Sequence, residues 1–424
     1  MSLNIGYDAK RAYQNYTGLG NYSRDLLKNL FLNYPENNYL LYTPKSTRNP
    51  RLSFLSEFNN VTTKFPDSPV HKTFKGYWRS INLEKSLIKD KVDIFHGLSN
   101  EIPRRTKKDL KYIVTIHDLI FKRFPRNYRS IDRRIHNVKF KYATKNADLT
   151  IAISQQTKND IVDFYKVNPD NIKVLYQSCH DNFRRDYPKE VINHIKEKFQ
   201  LPDNFILNVG TIETRKNLNA LIQAIPMMKN DLPIVVVARK TSYFNFLKVQ
   251  MNKLKIDSSR LIFLKNVSIE ELPSIYKLAD LFIYPSLFEG FGIPIIEAQA
   301  CGCSVVTTNF SAMPELTVNG ISTDYKQREK YRDDKKSYWA IPDIDNIYKA
   351  LETIYNWSPK YREEMISKGI EFSKQFSISN IAQKIVELCD SIENKNKNKN
   401  TPKIFPLDNQ PTNIKNLLDS ISNK

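Results

Sequence analysis

The sequence predicts an α/β protein made of two doubly wound, parallel-sheet domains. Three observations predict it. Short apolar runs alternate with helical stretches along most of the chain. Most of these runs are apolar at successive positions, as in strands covered on both faces. The βα alternation also runs twice, once on each side of a polar joint at residues 181–204, and such alternation implies parallel sheets.

In the first half, LNIGYDA reads as a strand. TGLGNYSRDLLKNLFLNY follows as a glycine loop entering a helix, with Leu26, Leu27, Leu30 and Phe31 on one face. NYLLYT, DIFHGLS, YIVTIHD and ADLTIAIS read as buried strands. Ser154 reads as the N-cap of the helix in SQQTKNDIVDFYKV, and NIKVLYQSC as a further strand. In the second half the strands are FILNVGTI, LPIVVVAR, RLIFLKNV, ADLFIYPS and CSVVTTN. NLNALIQAIPMM, SIEELPSIYKLA and PIIEAQAC are helices between them. The expected division is 1–185, 186–376, a helix over 377–393, and a Lys/Asn-rich tail at 394–424 expected to be disordered. DYKQREKYRDDKKS, residues 324–337, reads as a charged surface insertion.

Composition limits the function classes. The 424 residues suit two or three domains. There are 65 Lys+Arg against 45 Asp+Glu, a formal charge of +20, which favours anionic partners without choosing among them. The four cysteines, Cys179, Cys301, Cys303 and Cys389, form no CxxC pair, so reduced thiols in a cytosolic compartment are expected. The N-terminus does not read as a signal peptide, and no run is long enough to span a bilayer. The expected location is cytoplasmic, with contact to a membrane confined to its surface.

Ligands of open α/β sheets bind at the carboxyl ends of strands, and several ends here carry unusual residues. Gly18 and Gly20 follow the first strand, without the GxGxxG spacing of a dinucleotide site. His117 and Asp118 end YIVTIHD, where a histidine can meet a ligand hydroxyl or carry a proton. His96, after DIF, reads as a core histidine. Gly210 ends a strand, and Arg215 and Lys216 stand just ahead of a helix. Cations there are disfavoured unless an anion sits among them, and a diphosphate would serve. Glu289 lies in the loop EGFGIP with Gly290, Phe291 and Gly292, and Glu297 lies inside the next helix beside Ile295 and Ile296. A carboxylate in such surroundings needs donors, which sugar or ribose hydroxyls supply. Glu315, in SAMPELTVNG, reads as a helix cap.

The E-x7-E spacing within SLFEGFGIPIIEAQACGCSVV resembles the signature of the family 4 retaining glycosyltransferases of the GT-B fold. TGLGNYSRDLL, IHDLIFKRFP, SQQTKNDI, VGTIETRKNL and MPELTVNG extend the resemblance over most of residues 1–320. It implies two facing Rossmann-like domains with a nucleotide-sugar between them. Carried over, Glu289 touches donor-sugar hydroxyls and Glu297 the ribose. Lys216, with Arg215, neutralises the diphosphate, and amides of Gly290–Gly292 lie near the sugar and phosphates. Gly18 and Gly20 approach the diphosphate from the other domain, and His117 contacts the donor sugar. The last helix crosses back to the first domain, and no metal or other cofactor is expected. Two features depart from the pattern: Gly210-Thr211 stands where many relatives have Gly-Arg, and the 324–337 insertion is unusual. The motif set is most similar to bacterial mannosyltransferase-like members that build surface polysaccharide, which makes GDP-mannose the first candidate donor. The expected acceptor is a glycan or a polyprenyl-diphosphate-linked glycan. The stretch 121–145, dense in Arg and Lys with Phe and Tyr, suits an anionic membrane surface, the alternative being a solvated helix face. No nucleic-acid motif occurs. The competing functions are a GT-B-fold nucleotide-sugar epimerase or hydrolase, and a non-catalytic basic binding subunit.

Overall fold

The computed structural model describes residues 2–107, 109–239, 241–330 and 338–397. The first sheet has seven strands: β1 (Asn4–Asp8), β2 (Asn38–Tyr42), β3 (Val61–Lys64), β4 (Ile94–Gly97), β5 (Lys111–Ile116), β6 (Leu149–Ala152) and β7 (Ile172–Val174). Their order is β3-β2-β1-β4-β5-β6-β7, and every pairing is parallel. The second sheet has six: β8 (Ile206–Val209), β9 (Ile234–Val237), β10 (Leu261–Leu264), β11 (Leu281–Tyr284), β12 (Val305–Thr308) and β13 (Gly320–Thr323). They run β10-β9-β8-β11-β12-β13, again all parallel. In each sheet the direction of strand addition reverses once, between β1 and β4 and between β8 and β11. Such a switch point opens a crevice at the carboxyl ends of the strands.

The successive apolar residues do what a doubly covered sheet requires. Along β4 and β5, Ile94 and Ile113 join one core cluster, while Phe95, Tyr112 and Val114 join the cluster on the opposite face. Phe282 and Ile283 of β11 divide between two clusters in the same way. The polar joint is not a linker throughout. It forms the helix Lys189–Lys198, and Ile195 and Leu201 enter the core of the second domain. The chain passes between domains near residues 175–180 and returns after Phe376, where the Cys179 amide donates to the Phe376 carbonyl at 2.8 Å. The final helix, Ile378–Lys397, runs beyond the expected residue 393. Its Ile381, Ile385 and Cys389 pack in the first domain's core with Leu26 and Leu30. The expected disordered tail lies, from residue 398 on, outside the described residues. The charged insertion belongs to an antiparallel pair, β14 (Tyr325–Lys330) with β15 (Tyr338–Pro342). Its residues 331–337 also lie outside the described part. All four cysteines are free and buried.

Candidate functional site

The switch point of the second sheet gathers the expected diphosphate and sugar residues. Gly210 leaves β8 at φ 152°, a backbone conformation that a side chain would strain. A single 3-10 turn, Thr214–Lys216, then presents Arg215 and Lys216. Glu289 comes from the loop after β11. Its carboxylate accepts from Arg215 at 2.7 Å and from Lys216 at 2.7 Å. Arg215 also bonds Glu213 at 2.6 Å and the Phe288 carbonyl at 2.8 Å. Lys216 also donates to the Tyr284 hydroxyl, and its ammonium lies over the Tyr284 ring. Burial alone would raise the Glu289 carboxyl, but Arg215 and Lys216 outweigh it and hold it at about 2. Burial draws the Lys216 ammonium down, against the pull of Glu289. The anion that these cations require ahead of a helix is thus supplied by Glu289.

Glu297 stands differently. It sits half-buried on the helix Ile293–Ala300 and accepts from the Tyr276 hydroxyl at 3.1 Å. No salt bridge reaches it among the described residues. Burial lifts its carboxyl to about 7, with the Tyr276 bond pulling the other way. A structural ion pair therefore does not account for it; a carboxylate held without a cation awaits donors from elsewhere.

Other expected residues fall less simply. His117 is buried at the end of β5, and both ring nitrogens are engaged. Nε2 lies 2.8 Å from the Leu98 carbonyl, and Nδ1 is 2.7 Å from the Gln177 amide nitrogen. The carbonyl fixes Nε2 as the protonated nitrogen, so Nδ1 accepts from Gln177. Burial lowers the ring to about 4, so it is neutral at pH 7. In this arrangement both ring nitrogens of His117 are bonded within the protein. The glycine loop is corrected, since Gly18 and Gly20 lie in the first turn of the helix Gly18–Asn33. A Cβ on Gly20 would sit 1.8 Å from the Asn15 carbonyl oxygen, so that glycine serves packing within its own domain. The helix still reaches the cleft through Tyr22, whose ring meets His117 edge-on at 5.1 Å. The Phe291 side chain is turned into the hinge packing, against Tyr176 and Phe376. Only its backbone is left to serve a ligand. Gly292 is the N-cap of the next helix. His96 is a core residue bonded to Thr115.

Residues 191–371 match the family described as "Glycosyl transferases group 1", and residues 38–179 match "Glycosyltransferase Family 4"; together the two take in more than half of the chain. The chain belongs to the family 4 glycosyltransferases. Among curated relatives, the serotype-specific mannosyltransferase WbdA of Escherichia coli is 32% identical over 258 residues, 57% of this chain and 29% of that protein. The chain thus spans under a third of the length of that relative. The O-antigen chain mannosyltransferase B of Escherichia coli is 27% identical over 68% of this chain and 71% of its own. Among solved structures, Anabaena HepE in complex with UDP and glucose superposes with a TM-score of 0.67 at 17% identity, over 92% of this chain and all of that one. WaaG, a glycosyltransferase involved in lipopolysaccharide biosynthesis, gives 0.64 at 15% identity, over 91% of this chain and 99% of that one. At these identities the likeness establishes the GT-B fold.

In this glycosyltransferase the two domains meet directly at the loop that carries Glu289. Ser154, the N-cap of the helix Gln155–Tyr165, donates to the Gly290 carbonyl at 2.6 Å. Glu315 is a cap, but of the other domain's helix: its carboxylate accepts from the amides of Gln155 and Gln156 at 2.8 and 2.9 Å. Phe288 packs between Ile120 and Phe124 of the first domain. Asp118 lies close enough to Arg215 and Glu289 to feel both charges, although burial is the main influence raising its carboxyl. A Cβ on Gly290 would come within 2.5 Å of the His117 carbonyl oxygen. Gly290→Ala should therefore hold the domains apart. The expected result is a fall in kcat of at least about tenfold with little change in nucleotide affinity. Steady-state kinetics beside calorimetric titration checks it. The sequence reading missed Gln177, Tyr284 and the cross-domain reach of Ser154 and Glu315. A tyrosine at the carboxyl end of a switch-point strand was the one signal available for Tyr284.

Proposed function

We propose that the protein is a retaining, metal-independent hexosyltransferase that moves a sugar from a nucleotide-sugar to a glycan or lipid-linked glycan acceptor in surface polysaccharide synthesis. Mannose from GDP-mannose is the first candidate donor, supported by the relatives named as mannosyltransferases. One observation carries the reading: Arg215, Lys216 and Glu289 form a charge triad at the β8–β11 switch point, with the cation-free Glu297 on the helix Ile293–Ala300 that follows the Glu289 loop. Such an arrangement suits a ligand bearing both a diphosphate and hydroxyls. The diphosphate takes the two cations, and Glu289 is freed to accept from sugar hydroxyls. Glu297 accepts from the ribose. As the anomeric C–O bond breaks, Arg215 and Lys216 stabilise the charge that gathers on the departing phosphate oxygen. With His117 neutral and internally bonded, the departing phosphate serves as the base that takes the acceptor's proton on the same face of the sugar. That route retains the anomeric configuration. A bound complex of HepE with UDP and glucose on the same fold supports this kind of ligand. No helix among the described residues is long and apolar enough to cross a membrane, so a lipid-linked acceptor would be met at the bilayer surface.

A thermal-shift screen of GDP, UDP, ADP and dTDP sugars tests the donor site. A ligand that binds the native state raises the melting temperature, by an amount set by its concentration over Kd. One nucleotide should stabilise the wild type and lose its effect in Lys216→Ala and Glu297→Ala. Equal stabilisation of all three proteins would contradict the site.

A further inference from the structure

The first sheet has a switch point of its own, between β1 and β4, and charged side chains line it. Asp8 closes β1 and is buried. Its Oδ2 accepts from Arg79, from Nε at 2.9 Å and from Nη2 at 2.6 Å. Arg79 Nη1 reaches Glu101 Oε2 at 2.9 Å, and Lys139 donates to the same oxygen at 2.9 Å. Two backbone irregularities build this network. Arg79 stands in a single π-helical turn, Trp78–Asn82, a wide turn of the kind often found at functional sites. After β4 the chain folds back so tightly that a Cβ on Gly97 would lie 2.0 Å from the Glu101 carbonyl oxygen. That fold brings Glu101 within one guanidinium of Asp8. Such a network adds little to stability, since desolvation offsets the attraction. Its place at a ligand-binding crevice points to another role.

The network leaves two cations over. Lys10 and Arg11 follow soon after Asp8, and both are half-buried. Neither side chain has a hydrogen bond or salt bridge among the described residues. Burial draws the Lys10 ammonium down and Arg79 and Arg11 push the same way, while Glu101 and Asp8 oppose them. Those two acids are already bonded to Arg79 and Lys139. The other oxygen of Asp8 accepts from the Lys10 backbone amide at 3.2 Å, not from its side chain. Ser99, in the turn after β4, is 4% exposed, and its hydroxyl has no partner among the described residues. Arg11 is close enough to His117 for its charge to bear on the ring. The next residue, Asp118, feels Arg215 and Glu289. The spare cations therefore lie on the first domain's side of the cleft, across from the donor residues.

We propose that Lys10 and Arg11 hold a phosphate group of the sugar acceptor, so that the protein selects an acceptor phosphorylated near the hydroxyl that receives the sugar. The proposal rests on the reading above, which gives the opposite wall of the cleft to the nucleotide-sugar. Cations gathered with too few acids and drawn out of water call for an anion. Phosphate suits this pair. A guanidinium takes two of its oxygens as a fork, and an ammonium takes another as a point charge. Asp8 and Glu101 hold Arg79 and Lys139 in place behind them, which keeps the crevice positive without committing Lys10 or Arg11. A neutral glycan would leave both cations without an anion. The donor's own diphosphate is the other source of phosphate, and the test separates the two.

Calorimetric titration with inorganic phosphate at constant ionic strength tests it, on the protein alone and on the protein saturated with the nucleoside diphosphate that the thermal screen selects. The wild type should bind phosphate in both states. Lys10→Gln with Arg11→Gln should weaken phosphate binding roughly tenfold or more, and Lys10→Gln alone should give an intermediate loss. Both should keep the nucleotide-induced rise in melting temperature, which shows them folded. Lys216→Ala should bind phosphate as the wild type does. No phosphate binding by the wild type, or binding that Lys10→Gln with Arg11→Gln leaves unchanged, would overturn the proposal. So would phosphate binding that the nucleotide or Lys216→Ala abolishes, or loss of nucleotide binding in Lys10→Gln, since each assigns the anion to the donor. Phosphate binding that follows Lys10 and Arg11 in a protein that no nucleotide stabilises would support this crevice and count against the donor reading alone.

Discussion

Replacing Glu289 by glutamine should slow sugar transfer by about two orders of magnitude or more while leaving a bare nucleoside diphosphate bound at least as tightly as in the wild type. Both results follow from the charge triad. Glu289 occupies Arg215 and Lys216, so it competes with any incoming diphosphate for the same cations. An amide competes less, yet it is a poorer acceptor for the donor-sugar hydroxyls. We expect kcat to fall by about two orders of magnitude or more, the scale seen when a preorganised electrostatic group is removed. Stability changes too. The folded-state carboxyl is held at about 2 against a reference of 4.5. A depressed carboxyl stabilises the fold fully above its unfolded value, and that contribution is lost as the pH falls from 4.5 through 2. Glu289→Gln should thus be less stable than the wild type at pH 7, by at most about 3 kcal/mol. Denaturant titrations should show the gap narrowing towards pH 3. Equal stability at pH 7 would show that the triad is not formed in solution.

Glu297→Gln should behave in the opposite sense, gaining stability while losing donor affinity. Burial raises this carboxyl to about 7, from 4.5. A raised carboxyl costs nothing below its unfolded value. Its cost grows as the pH rises from 4.5 to 7 and is constant beyond, because the unfolded chain releases the proton first. The variant should match the wild type near pH 4 and exceed it at pH 8 by roughly 2 kcal/mol, somewhat below the full linkage value because the side chain is half-buried. Donor affinity should fall by one to two orders of magnitude, the scale of lost hydrogen bonds to a charged group, about 1.5–3 kcal/mol. In the wild type, donor binding should strengthen as the pH rises through about 7, because the ionised carboxylate is the better acceptor for ribose hydroxyls. In the variant that pH dependence should be absent. A Glu297→Gln protein with unchanged affinity and pH profile would remove this residue from the donor site. Sites that hold a strained or uncompensated group commonly trade stability for function in this way.

Much of this was legible in the sequence because doubly covered strands leave a plain signal. IVVVA and LFIY are apolar at every position and IVTI at all but Thr115, and nothing but a buried strand or a buried helix turn fits them. The edge strands β3 and β13, VTTK and GIST, carry mostly polar residues and gave no such signal. Within the site, Arg215, Lys216 and Glu289 were legible because each is locally out of place: two cations ahead of a helix, and an acid among glycines and apolar residues. Their mutual pairing was not, since it spans 73 residues of chain. The close approach of Gly20 to the Asn15 backbone was not legible, because it and close approach to a phosphate call for the same residue. Glu315 was read as a cap, but the helix it caps lies 160 residues away in the other domain, and no local rule reaches that far. His117 was placed correctly at a strand end, whereas the Leu98 and Gln177 bonds that hold its ring neutral are contacts only the fold creates.

The most direct measurement is a structure of the protein with GDP bound, or with whichever nucleoside diphosphate the thermal screen selects. The expected result is diphosphate oxygens within hydrogen-bonding distance of Arg215 and Lys216, Glu289 released from both cations, and the ribose on Glu297. A nucleotide bound elsewhere, with the Arg215–Glu289–Lys216 triad still closed, would contradict it.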